Sequence, residues 1–243
     1  MIRQTSLLIL LLASAALAET TVTTKQGQSV PVEVLSVAGG LAAISRNNVK
    51  STLKLDQLTD ASQAEVIAAA KAKGAYSAVP PLHAQVTVGT KSHPTANSSY
   101  KKEMEISPQL KLSAVSALDA IPAIDATFLI ICQDTEAKFV KHQDRYVVHA
   151  TETKTVPAAA DGKVRDIDFD KSSVTFDSYR DASNIGGLVY KYYLFALRDP
   201  ETKKLLDFQT NHPQLPAYLA AHPEKKEDLL KLGKGKEFPA GFR

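Results

Sequence analysis

The sequence predicts a mostly β chain in two modules. The first is a small barrel with a short closing helix. The second is an antiparallel β-sandwich followed by short C-terminal helices. Three observations predict this. Apolar residues recur at every second position in many short runs, the period of a half-buried strand. Clusters of Gly, Asn, Asp and Pro separate those runs at intervals of about 8 to 15 residues. A Pro80-Pro81 pair divides the chain just after a helical pattern ends. The 243 residues are 44% hydrophobic and 23% charged, the composition of an ordinary globular protein. A net charge of +3 is too small to point to nucleic acid.

The first 18 residues read as an export signal. Arg3 supplies an early positive charge, Leu7 to Leu12 an unbroken apolar run, and Ala16-Leu17-Ala18 a small-residue cleavage site. The run is well short of the roughly 20 residues that span a bilayer. Cleavage after Ala18 is expected, which places the product in the periplasm or outside the cell. Loss of Arg3 lowers the charge to +2. No membrane span is expected in the remainder. Its best candidate, Phe128 to Cys132, is five residues long and reads as a strand.

Residues 19–74 form the first module. Thr20 to Thr24 is β-branched, and Val30, Val32 and Val34 alternate with Pro31 and Glu33. Gly39-Gly40 turns into Leu41 to Arg46. Asn47-Asn48 turns into Val49, Ser51, Leu53 and Leu55. A helix follows, capped by Thr59 or Asp60, with Gln63 three residues on. Ala64, Ile67 and Ala68 are its expected apolar stripe, and Gly74 its stop. Four short strands closed by a helix look like an SH3-like small barrel.

Lys25-Gln-Gly-Gln28, Val32-Glu-Val-Leu-Ser-Val37 and Leu53-Lys-Leu-Asp-Gln-Leu-Thr-Asp-Ala-Ser-Gln63 carry a family resemblance. On these residues the module resembles the Sla-type first homology domain, a small β-barrel that recurs in exported bacterial proteins. The family usually carries a tryptophan before the first turn, and this chain has none. The resemblance implies an interaction module rather than a catalyst.

Residues 75–83 read as a semi-rigid Pro-Pro spacer, with a boundary near residue 80. The sandwich is expected over 84–210. Ala84 to Gly89 reads as a strand and Lys91 to Asn97 as a polar loop. Met104 to Leu112 alternates strictly, with Pro108 pushing the strand toward a sheet edge or bulge. Residues 124–133, Ala137 to Lys141, Tyr146 to Val156, Val164 to Asp170 and Val174 to Phe176 read as further strands. Gly186-Gly187 opens Leu188 to Arg198, apolar on both faces and therefore central, with one face in the core and the other covered by terminal helices. Asp199 to Lys204 is a hairpin turn before Leu205 to Gln209. Residues 211–243 hold two short helices, with Pro213 and Pro223 in their first turns, then a chain end.

Few residues offer chemistry. The single Cys132 lies on an apolar face and reads as an inert core residue. One thiol excludes an internal disulfide framework and a Cys-based zinc cluster. Asp166, Asp168, Asp170 and Asp177 superficially match a calcium loop. Lys171 stands where that loop needs glycine, so a solvated acidic face is expected. None of the six histidines shows helical zinc spacing, though His142 and His149 flank a turn at Gln143-Asp144. No nucleophile elbow, P-loop or dinucleotide fingerprint is present. Catalytic residues, a cofactor and a metal are therefore not expected.

Tyr179, Tyr190, Tyr192 and Tyr193 are the one aromatic concentration. At period two, Tyr190 and Tyr192 share a face and are the candidate ligand-binding residues. Asn97-Ser98-Ser99 matches a glycan acceptor. The expected function is that of an exported, non-catalytic binding or assembly protein of the envelope. Its expected partner is another envelope or extracellular protein, met through edge strands or the tyrosine strand. A carbohydrate-binding module acting beside an enzyme is the second reading, and a hydrolase with its site between the modules the third.

Overall fold

A computed structural model describes residues 19–96, 98–178 and 186–242. The expected signal peptide, Asn97 and Tyr179 lie outside the described residues. The chain is mostly β, with antiparallel sheets and a few short helices. It divides into two compact units, Met1–Tyr76 and Ser77–Arg243. Among the described residues, no helix is long and apolar enough to cross a membrane.

The first unit is an antiparallel meander of β1 (Thr20–Thr23), β2 (Ser29–Ala38), β3 (Leu41–Arg46) and β4 (Val49–Lys54). The helix α1 (Asp60–Ala72) packs on it, and the two-residue strand β5 (Tyr76–Ser77) adds to β2. Asn47 and Asn48 both take positive φ, which a two-residue hairpin needs to match the strand twist. Val22, Val32, Val34, Ile44, Leu58 and Val66 form the centre of its core.

Thr59 caps α1, its Oγ1 accepting the Ser62 N–H at 3.4 Å. Past the helix, Gly74 donates to Lys71 O and Ala75 to Ala70 O. This is the paired closure that a left-handed residue permits. The buried stripe is Ser62, Val66 and Ala70, not Ala64, Ile67 and Ala68; Ala64 and Ala68 are exposed. In so alanine-rich a helix, hydropathy offers little contrast. A polar contact sets the rotation instead: Ser62 Oγ turns inward to accept the Thr23 N–H at 2.9 Å.

In the second unit the elements are β6 (Leu82–Thr95), β7 (Ser98–Ala114), β8 (Ile124–Asp134), α2 (Thr135–Phe139), β9 (Tyr146–Val156), β10 (Arg165–Asp168) and β11 (Ser172–Asp177). Then come β12 (Leu188–Arg198), β13 (Leu205–Thr210), α3 (Leu215–Ala221), α4 (Lys225–Leu230) and β14 (Glu237–Phe238). One sheet has β6 on one side of β7 and both β10 and β11 on the other. The second runs β13-β12-β8-β9-β14. Their facing sides share a core that includes Ile106, Leu110, Phe128, Ile130, Phe195 and Leu197. The outer side of the second sheet has its own core. There Leu129, Ile131 and Leu194 meet Leu215 and Leu219 of α3, Leu229 of α4, and Phe238 and Phe242 of the chain end. β12 is thus an inner strand covered on both faces, as its two-sided apolar pattern requires.

Several local expectations are corrected. Residues 91–95 are not loop; β6 continues to Thr95 because β7 pairs with it throughout. Ala137 to Lys141 is not a strand; α2 starts at Thr135, where Asp134 Oδ1 accepts the Ala137 N–H at 3.0 Å. Pro108 sits in an inner strand, not at an edge. It stands at the break between β10, which pairs with 109–112, and β11, which pairs with 101–106. A missing N–H costs nothing in that gap, while its carbonyl accepts the Phe169 N–H at 3.1 Å. Pro213 and Pro223 precede their helices, and Pro216 is the proline in the first turn of α3. Within residues 75–83, Tyr76–Ser77 is β5, Val79 is 2% exposed, and β6 begins at Leu82.

Candidate binding surface

The tyrosine strand does not present a shared aromatic platform. In β12, Tyr190 pairs with Cys132 but Tyr192 pairs with Ile131, so Lys191 is an extra residue that forms a β-bulge. The bulge resets the alternation. Tyr190 and Tyr193 then pack against the core between the sheets, whereas Tyr192 packs on the outer core. Both candidate rings are half-buried. Asn211 Nδ2 donates to the Tyr190 hydroxyl at 3.3 Å, and burial pushes that hydroxyl's pKa upward. A second bulge lies at His149. Ala150 pairs with Ile130 and Val148 with Ile131, so two bulges flank β8 at nearly the same level.

Tyr192 instead belongs to an aromatic cluster that fixes the chain end. Its ring lies 4.3 Å from His212 and 5.5 Å from Tyr146, and His212 lies 5.0 Å from Phe242. His212 is 4% exposed. Its Nδ1 accepts the backbone N–H of both Gln214 and Leu215 at 3.2 Å, which caps the start of α3 and requires an unprotonated Nδ1. Burial holds its pKa below the ordinary histidine value. A neutral His212 therefore contributes stability in full above about pH 6.5, and that contribution drains away as pH falls below it. His149 shifts in the same direction, through burial and then the Lys234 charge. Urea midpoints at pH 7.5 and pH 5 test this. The wild type is expected to lose more stability on acidification than His212→Asn, which keeps a capping oxygen but cannot titrate. An equal loss in both would refute the assignment.

The edges of β6 and β13 differ. Even-numbered β7 residues direct their backbone away from β6: Pro108 O accepts from Phe169, and Ala114 N–H donates to Gly162 O. Their β6 partners are Val88 and Leu82, with Ala84, Val86 and Thr90 in the same phase. These residues therefore point N–H and C=O toward the open side. Gln209 Nε2 donates to Ala84 O at 2.8 Å, in agreement with this orientation. Among the described residues no strand pairs with β6 on that side. From Val86 to Ser92 it carries a row of backbone groups that have no partner among the described residues. The edge of β13 is blunted, because Asp207 Oδ1 accepts the Phe208 N–H at 2.8 Å.

The remaining candidates are dispersed. Asp166 pairs opposite Lys111 and Asp177 opposite Lys101. At about 3.3 Å per residue, ten β7 residues separate them by roughly 33 Å, so they share no ligand ring. His142 lies in the loop after α2 and His149 in the β9 bulge. Among the described residues no group of three or more His, Cys, Asp or Glu could hold a metal. Cys132 is fully buried, and burial raises its thiol to about 12, which suppresses thiolate chemistry. Sequence reasoning missed the β6 edge, since nothing within 82–95 signals which side is left without a partner.

No protein-family model matches the sequence, and no curated protein does. Among solved structures the chain is similar to one from Akkermansia muciniphila, at 15% identity over 55% of this chain and 72% of that one, with a TM-score of 0.28. That likeness assigns neither a fold nor an activity.

Proposed function

We propose that this is an exported, non-catalytic binding or assembly protein of the cell envelope or exterior, which pairs an extended segment of a partner protein along β6. The observation that carries the reading is the backbone row from Val86 to Ser92, which has no partner among the described residues. Strand addition draws affinity from such a row and selectivity from alternate side chains. The side chains of Val86 and Val88 pack on the core. The first unit is proposed as a Sla-type, SH3-like interaction module, supported by the motifs at 25–28, 32–37 and 53–63. Export is supported by the signal-like first 18 residues.

Thr90→Pro tests the edge. Thr90 is exposed and its N–H points outward, so proline removes a docking donor without breaking the β6–β7 ladder. Lys91→Pro, one residue on, removes a ladder donor and is expected to lower the melting temperature of the unit. Thr90→Pro is expected to keep the wild-type melting temperature and to lose whatever partner the wild type retains from envelope extract, or whatever self-association the wild type shows on sedimentation. A wild-type chain that retains no partner and does not self-associate would remove the reading's support.

A further inference from the structure

A cavity of about 390 Å³ opens between β13 and α3, in the size range of small-molecule sites. Its walls are mostly apolar: Tyr193 and Phe208 from the sheet, Pro216 and Leu219 from α3. Besides the Tyr193 hydroxyl, three polar side chains belong to its lining residues, and two of these have their donors committed. Gln209 Nε2 donates to Ala84 O and to Asp207 Oδ2. Thr210 Oγ1 donates to Tyr193 O at 2.7 Å and accepts the His212 N–H at 3.1 Å. The third is Lys226. Its ammonium lies 5.9 Å from the Phe208 ring centroid, and among the described residues no carboxylate pairs with it. It is the one charged group in the lining.

We infer that this cavity binds a small monocarboxylate with a hydrocarbon body. The charge balance selects that class. One uncommitted ammonium at the rim of an apolar space calls for one anionic group, and the apolar walls call for a body that gains by leaving water. A second ligand charge would find no partner there, and a cationic ligand would meet repulsion. The cavity and the β6 edge use different residues, so this inference does not rest on the one above.

Calorimetric titration of the full chain with octanoate, 1-octanol and octylamine tests it. Octanoate is expected to bind saturably, at least tenfold more tightly than octanol, and octylamine not to bind. Lys226→Gln is expected to remove the advantage of octanoate over octanol while leaving octanol unchanged. Ala220→Trp, at an exposed helical position in the lining, fills the space and is expected to abolish binding of both. Binding no tighter than octanol, or octanoate affinity unaltered in Lys226→Gln or in Ala220→Trp, would overturn the assignment.

Discussion

Phe128→Ala is expected to destabilise the C-terminal unit by about 3–5 kcal/mol, the range for deleting a buried aromatic ring. Phe128 is 2% exposed and lies at the centre of the core between the sheets. Its ring sits 5.1 Å from Phe169, 5.5 Å from Tyr193 and 5.6 Å from Phe195, so three aromatic neighbours lose their partner together. Two of those neighbours come from β12 and the third from the turn after β10, so a collapse onto the vacated space would have to move both. Leu118→Ala is the control. Leu118 is 91% exposed, and its loss is expected to matter by no more than about 0.5 kcal/mol. Urea unfolding of the two variants separates them; equal midpoints would show that Phe128 does not hold the sheets together.

Gly187→Ala is expected to cost at least about 2 kcal/mol, while Gly186→Ala beside it is nearly neutral. Gly187 has φ +105°, which side chains rarely adopt. A Cβ there would overlap the Thr175 carbonyl oxygen and lie 2.7 Å from Phe176 Cα. The backbone cannot retreat easily. Gly187 bridges to Phe176, and its carbonyl accepts both the Thr135 N–H at 3.1 Å and the Thr135 hydroxyl at 3.0 Å. It therefore ties β11 of one sheet to the start of α2 beside the other. At Gly186 a Cβ meets nothing within 4 Å. Thermal melts of the pair check this; a Gly187→Ala variant as stable as Gly186→Ala would show that the bridge yields.

The sequence by itself determined what depends on near neighbours. Period two marked β2, β7 and β8, a run apolar on both faces marked β12, and the turn residues set β3 at Leu41–Arg46. A cap at Thr59 or Asp60, the stop at Gly74 and the two-sided burial of β12 were legible for the same reason, and the structure chose Thr59. Only the tertiary structure decided what depends on partners far along the chain. The bulges at Lys191 and His149 arise from register against β8, and one extra residue moved Tyr192 to the face opposite Tyr190. Pro108 is tolerated inside a sheet because two other strands happen to break opposite it. Which strand is left with a free edge depends on every other pairing in its sheet. Alternation within β6 gives its two faces but not its neighbours, because backbone hydrogen bonds leave no mark in side-chain pattern.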